Sequence, residues 1–564
     1  METSKLAHKR FSATNRLEGK KLLTAFNAVC CVSIFFFGYD QGMMSGVNNS
    51  EDYINTMKYG YVQPDGTPVV TNSAKQGGIV AIYYLGTLIG CLLGGKIGDS
   101  IGRVKTVVLG CAWSIFGAAL QCSAQNVPWM VCARLINGIG TGHLNAIVPV
   151  WAAEISDFSS RGAFIAQEFT LNIFGVVVAY WLEYGLSFVD GGRTQFRWRF
   201  PIAFQIIPLI VLALVVNLMP ESPRWLIKMG RRVDAEYILV RLRCDPDAAR
   251  QEADEIEAVV QLEHNGTVVG EDGKQVGTGV GNSYMGMLLG RGRKGSHVAR
   301  RVQLVIWLQI VQEWVGIAAV TVYAPRIFSG AGYTQNKSNL LAGINNITYM
   351  LSTLVAVYTL DRIGRRWTLY WGSVGQGIAM FLAGGFSRLT FDAAGTSKQS
   401  QYGAAAAFFV FLYTFVFGAT WLTVPWLYPT EIFPLECRAR GNSWGVVGWS
   451  IGNGWLTLLT PVMFGAINEK TLYVFGACNV LSIPFVWSFY PETNQRTLEE
   501  MDLLFSADSV FAWEAEKAFA RMQAEHPEVV HRARTRESHV PHDTSSTMLE
   551  PAKPGKDSFD QTTA

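Results

Sequence analysis

The chain predicts an all-α membrane protein, with twelve transmembrane helices in two six-helix halves. Composition is the first sign. Of 564 residues, 49% are hydrophobic and 16% charged, against ~25% charged in a soluble domain. Mean hydropathy is +0.19 in spite of polar ends. The second sign is a set of twelve apolar runs, each near the ~20 residues that cross a ~30 Å hydrocarbon core as a helix. The third is duplication. DSIGRVKT at Asp99–Thr106 returns as DRIGRRWT at Asp361–Thr368. Glu154-Ile155 with Arg161-Gly162 returns as Glu431-Ile432 with Arg438 and Arg440-Gly441. PESPR at Pro220–Arg224 returns as PETNQR at Pro491–Arg496. Offsets of about 262, 277 and 271 residues mark a tandem repeat of one unit.

Taken in order, residues 1–22 are a polar tail with six Lys/Arg, and the run that follows is too long for a signal peptide. Apolar runs lie at 23–46, 76–98, 104–125, 128–153, 162–186 and 200–219, forming a first half over 23–219. A linker over 220–301 has helical patterns at 233–243 and 248–264, then a glycine-rich stretch at 265–283 too flexible to hold one structure. The second half, 302–490, has runs at 302–328, 339–360, 367–386, 403–428, 441–466 and 471–490. The tail, 491–564, is polar and expected to be disordered beyond about 530. Lys and Arg gather at one membrane face, so both termini and the linker are expected in the cytosol. The sequons at Asn48 and Asn336 then fall outside, as candidate glycosylation sites.

Charged clusters between long apolar runs of a duplicated chain are the layout of a secondary transporter. Asp99 and Arg103 occupy the turn between helices 2 and 3, where Gly102 permits the bend and the carboxylate favours a helix N-terminus. Glu154, Arg161, Glu221 and Arg224 fall at the same face, as do Asp361, Arg365, Glu431 and Arg438 in the second half. Acids and bases gathered at helix ends form ion pairs that hold that face closed. The plainer reading is that they only satisfy the charge bias.

Asp40 and Arg134 each stand about six residues from the outer ends of helices 1 and 4, ~9 Å deep at 1.5 Å per residue. Neither is tolerated against lipid, so both should face inward and pair, whether for coupling or as a structural salt bridge. Glu313 lies about twelve residues into helix 7, near the midplane. Net charge of +3 is too small to suggest nucleic acid as a partner. Nine cysteines without a CxxC pair or His-Cys cluster imply no metal, cofactor or disulfide framework. No nucleophile–base pair supports an enzyme, and GIGTG at 138–142 reads as helix packing rather than a nucleotide loop.

GYDQG (38–42), GKIGDSIGRVK (95–105), RLINGIGTG (134–142), PVWAAEISDFSSRG (149–162), PESPRWL (220–226), DRIGRR (361–366), PWLYPTEIFP (425–434) and PETNQRTLEEMD (491–502) occur together. With them the chain resembles the sugar porter branch of the major facilitator superfamily, in its fungal form, over roughly 22–505. The resemblance implies the major facilitator fold and alternating access. It implies that Asp40 and Arg134 form a proton-coupling pair, in which Arg134 holds the ionised Asp40 and protonation releases it. It also implies that Gln312, Glu313, Tyr323, Trp421 and Asn453 line one substrate cavity.

The expected cargo is a sugar or related polyhydroxylated molecule, moved inward with a proton across the plasma membrane. Alternatives are a polyol, quinate-like acid or secondary metabolite, with export included, and a transporter-like nutrient sensor. The pocket departs from the family pattern QQxxGIN…YYAP. Glu313 replaces the second amide, Ala318 the asparagine and Val322 the first tyrosine. Phe169, beside Glu168, stands at the usual helix-5 glutamine, and Trp449 where an amide is common on helix 11. A midplane carboxylate accepts hydroxyl hydrogen bonds strongly or takes a proton, unless it is bonded within the bundle. Phe35–Phe37, Trp113, Trp181, Trp371 and Trp487 are expected to face lipid or pack.

Overall fold

The structure, a computed structural model, describes residues 17–525 apart from 65–67, 156–160, 190–192, 266, 270–274, 278–283, 291–296, 435–436, 495, 497 and 507–508. Its twelve helical spans match the twelve apolar runs. Spans 1–5 are Gly19–Val47, Ser73–Ile101, Arg103–Cys122, Val127–Ile155 and Arg161–Leu186. Span 6 is Phe196–Phe204 with Ile206–Val216, and span 7 is Val298–Trp314 with Ile317–Gly330. Spans 8 and 9 are Gln335–Ile363 and Arg365–Asp392. Span 10 is Lys398–Ala419 with Val424–Ile432, and spans 11 and 12 are Arg438–Ile467 and Lys470–Phe489. Ten of them are apolar enough to cross a bilayer by composition alone. Span 4 falls short because it carries Arg134, Asn137, His143 and Asn145, all buried inside the bundle.

Span 4 packs on spans 2 and 3, span 1 on span 5, span 7 on span 11, and span 9 on spans 10 and 12. The first six spans meet the last six where span 2 lies on span 11 and span 5 on span 8. Close approach explains the GIGTG stretch. A Cβ at Gly138 would stand 2.2 Å from the Tyr83 carbonyl oxygen, and one at Gly142 2.3 Å from that of Thr87. Small residues here let two backbones touch.

Two breaks shape the middle of the second half. Gly316 adopts φ +114° between the two parts of span 7, a conformation open to glycine. The Val315 carbonyl freed there accepts hydrogen bonds from the Tyr413 hydroxyl and Asn479 Nδ2, each at 3.0 Å. The carbonyls of Trp421 and Leu422, freed at the break in span 10, accept from Gln312 Nε2 at 2.9 and 3.0 Å. Irregular backbone at membrane depth persists only where such partners exist.

The linker helices Arg232–Arg243 and Pro246–Asn265 fall where the sequence places them. The glycine-rich stretch needs correction, because Thr267–Val269 pairs antiparallel with Gln275–Gly277. The tail continues as Leu498–Phe505 and Ala512–Glu525. This last helix docks where Trp513 stacks on Trp487 at 4.6 Å. The expected disorder past about 530 lies outside the described residues.

Candidate functional site

Two adjoining cavities lie between the halves. The smaller, about 420 Å³, sits at midplane depth and carries Gln41, Asn172, Gln312, Glu313 and Thr321 among its polar side chains. Its walls are aromatic. Trp426 lies 5.5 Å from Phe169 and 6.1 Å from Trp449, and Phe37 lies 5.1 Å from Trp449. The larger cavity, about 930 Å³, extends from Ile34 and Gln309 to Ala153, Thr430 and Asn442. Those last three stand close to the ends of spans 4, 10 and 11 at the basic face. Phe37, Phe169, Asn172 and Trp426 line both.

Of the residues expected to line one cavity, Gln312 and Glu313 do so. Gln312 is held by the span-10 carbonyls, which leaves its Oε1 without a hydrogen-bond partner among the described residues. Glu313 is 2% exposed and its Oε2 is likewise unpartnered. The Asn453 and Trp449 side chains act on its carboxylate. Asn453 is therefore a neighbour of Glu313, fully buried, rather than part of the wall.

Trp421 is a correction. It is fully buried, and its Nε1 donates to the Leu369 carbonyl at 3.1 Å and the Ser373 hydroxyl at 3.0 Å, so its ring packs against span 9. Tyr323 also stands apart from the cavity, its hydroxyl donating to the Thr457 carbonyl at 3.1 Å. Phe37, expected to pack or face lipid, lines both cavities. Trp426, inside PWLYPTEIFP, and Asn172, one helical turn after Glu168, also line both cavities; for Asn172 the i, i+4 spacing from Glu168 is the signal in the sequence.

Asp40 and Arg134 are both 1% exposed and lie near one another, but they form no direct ion pair. Asn137 Nδ2 donates to Asp40 Oδ1 at 3.0 Å, while Oδ2 has no hydrogen-bond partner among the described residues. The Arg134 guanidinium sits 5.2 Å from the Tyr83 ring centroid and donates to Gln121 Oε1 at 3.4 Å. The expected direct pairing is thus replaced by a looser set through Asn137 and Tyr83.

The duplicated clusters build two copies of one arrangement. Arg103 clamps Glu154 with Nε at 2.9 Å and Nη2 at 2.8 Å, and also reaches Asp99 and the Gly98 carbonyl. Glu221 accepts from the backbone N–H of Arg103 at 2.9 Å and of Val104 at 3.3 Å, capping span 3. Burial pushes the Glu221 carboxyl above its ordinary range, while these N–H groups oppose the shift. In the second copy Arg365 holds Glu431 at 2.7 Å, and Glu492 caps span 9 through the N–H groups of Arg365 and Arg366. These pairs close within each half. Between halves, Arg440 meets Asp99 at 3.3 Å. Arg224 follows Glu221 at the start of the first linker helix. The side chains of Arg161, Asp361 and Arg438 lie outside the described residues, although their backbones are helical.

Asn48 is a second correction. Its side chain is 4% exposed at the end of span 1, and Ser50 is fully buried, which leaves no room for a glycan in this conformation. Asn336 is exposed near the start of span 8.

Comparison with known proteins places this arrangement. The family model described as Sugar (and other) transporter matches residues 26–505. An MFS-type transporter, oryC, of Aspergillus oryzae is 32% identical over 86% of this chain and 86% of its own length. The sugar transporter STL1 of Saccharomyces cerevisiae is 29% identical over 87% of this chain and 82% of its own. Polyol transporter 5 of Arabidopsis thaliana is 31% identical over 85% of each. The fold matches that of a proton:xylose symporter, XylE, with a TM-score of 0.67 at 24% identity, covering 86% of this chain and 99% of that one. A duplicated twelve-span bundle, a cavity where its halves meet and a family match across nearly all the spans lead to one conclusion: the chain is a multi-pass membrane transporter, not an enzyme, and belongs to the sugar transporter family.

Proposed function

We propose that this protein imports a sugar or related polyhydroxylated small molecule across the plasma membrane as a proton symporter. The halves 23–219 and 302–490 rock about the midplane cavity, with both termini and the 220–301 linker in the cytosol. The observation that carries this reading is the cavity itself. Gln41, Asn172, Gln312 and Glu313 face one space between the halves, with Trp426 and Trp449 as apolar walls. Amides donate to and accept from hydroxyls, a carboxylate accepts two at once, and an indole covers the apolar face of a sugar. Asp40 with Arg134 carries the proton, and the two arginine–glutamate clusters control the cytosolic face. Glu313 and Trp449, in place of amides, favour a polyol as a second reading within the same class.

Uptake of labelled hexoses, pentoses, disaccharides and polyols into cells lacking their own transporters tests the proposal. At least one substrate should accumulate, and a protonophore should collapse the accumulation. Uptake indifferent to external pH and protonophore would leave a uniporter. Glu313→Gln keeps the shape and removes the charge. Losing a charged hydrogen bond of about 1.5–3 kcal/mol should raise the half-saturation constant by at least about tenfold, with surface expression unchanged. Identical kinetics in the variant would make Glu313 a structural group.

A further inference from the structure

The Ala512–Glu525 helix begins beyond residue 505, where the family match ends. One face of it is packed. Ala512, Ala515 and Phe519 are buried, and the Arg496 guanidinium stands 5.3 Å from the Phe519 ring centroid. Glu514, Lys517 and Arg521 are exposed. The edge at its start is aromatic. Trp513 stacks on Trp487 at 4.6 Å and on Phe511 at 4.4 Å, and Phe511 stacks on Phe489 at 5.9 Å. Two rings of the tail therefore sit between two rings at the end of span 12. The outer side of this stack stays open, with Trp487 51%, Phe511 39% and neighbouring Val510 63% exposed. Its position says what covers it. Trp487 lies two residues before span 12 ends at Phe489, about 3 Å at 1.5 Å per residue, which puts the stack at the membrane boundary of the basic face. Deeper on the same span, Val480 and Leu481 are 51% and 66% exposed, as part of the surface that the span turns to lipid. The rings of the tail rest on the last turn of that span and so continue its lipid face.

We propose that Val510, Phe511 and Trp513, with Trp487, form a membrane-surface anchor that sets the start of the tail helix in the headgroup region of the leaflet at the basic face. Aromatic rings favour the boundary between hydrocarbon and headgroups, and burying apolar area there is what holds an interfacial helix. The partner is the lipid surface itself. Exposed charges on the helix have both signs, Glu514 and Glu525 against Lys517 and Arg521, so the contact does not depend on anionic lipid. The anchor also reaches the second arginine–glutamate cluster. Glu516, on the same helix, accepts from the Glu492 backbone N–H at 3.0 Å and lies 3.9 Å from Arg366 and 3.7 Å from Arg496. Glu492 caps span 9, so the tail ties the lipid surface to the group that fixes the start of that span.

The test uses the full-length protein in vesicles of phosphatidylcholine, with and without phosphatidylserine, and a phospholipid that carries a photoactivated diazirine near its headgroup. Adducts are mapped to residues by mass spectrometry. They should fall on Val510, Phe511, Trp513 and Trp487, equally in both kinds of vesicle, and not on Glu514, Lys517 or Arg521. Phe511→Ala with Trp513→Ala should lower labelling of Val510 by at least about tenfold and speed amide hydrogen exchange across 512–525 by a similar factor. Labelling of Trp487 should persist in that variant, which shows that the bundle is intact. Lys517→Ala with Arg521→Ala should change neither reading. Labelling of the tail only with phosphatidylserine present, or its loss in the Lys517→Ala, Arg521→Ala variant, would overturn the aromatic anchor in favour of an electrostatic contact. A labelled Trp487 beside an unlabelled 510–513 segment would overturn the lipid contact. Photo-cross-links between two copies through 510–513, in place of lipid adducts, would assign the face to a second copy and overturn it as well.

Discussion

Asp40→Asn should yield a transporter that still exchanges its cargo but no longer concentrates it. Asp40 is buried, with one oxygen held by Asn137 and the other without a hydrogen-bond partner among the described residues. An isolated buried carboxylate costs several kcal/mol unless it is paired or takes a proton. Arg134 lies near it without an ion-pair contact, so the balance between the two forms depends on how the surrounding helices sit. That is the property a coupling residue needs, because a conformational change that moves Arg134 or Tyr83 changes the proton affinity of Asp40. Asparagine has the shape of the protonated acid and fixes the site in that state. Each pH unit of gradient supplies about 1.4 kcal/mol per proton, a factor of ten in accumulation. The variant should lose about tenfold per unit, while counterflow in preloaded vesicles stays measurable. Accumulation by Asp40→Asn equal to wild type would remove Asp40 from coupling.

Much of this architecture is legible in the chain because the bilayer imposes its own period. Runs of ~20 apolar residues have few alternatives to helices that cross, and the twelve runs agree with the spans to within a few residues at most ends. The cavity is less legible, for a local reason. A motif gives position along a helix, and facing decides function. Trp421 and Trp426 are five residues apart, the first within the break in span 10 and the second in the helix that follows it. That break turns Trp421 into the Leu369–Ser373 contact and Trp426 into the cavity wall. The facing of Phe37 is hidden for a related reason, since a Phe-rich stretch on a buried helix has no polar face to orient it. Asp40 and Arg134 were placed at a common depth from helix rise alone. Sequence could not show that Asn137, three residues after Arg134, would take the carboxylate first.

Arg103→Ala should be the most destabilising single change at the basic face. The Arg103 and Glu154 side chains are 6% and 10% exposed, and the clamp is bidentate. Removing one partner of a buried pair leaves the other charge unpaired, a loss of about 3–5 kcal/mol. Arg103 also ties the end of span 2, through Asp99 and the Gly98 carbonyl, to the end of span 4. Arg103→Lys should recover part of the loss, since an ammonium keeps the charge but not the planar fork. Lys228→Ala is the control. Lys228 meets Asp99 at 3.8 Å with both side chains about one-third exposed, so its loss should stay within about 1 kcal/mol. Thermal unfolding of the purified protein, followed by tryptophan fluorescence, should rank wild type and Lys228→Ala together, then Arg103→Lys, then Arg103→Ala. Because Arg365 repeats the clamp on Glu431, Arg365→Ala should fall beside Arg103→Ala. Melting of Arg103→Ala at the wild-type temperature would show that the cluster only satisfies charge bias. A large loss for Arg103→Ala with none for Arg365→Ala would show that the two copies have diverged in function while keeping one geometry.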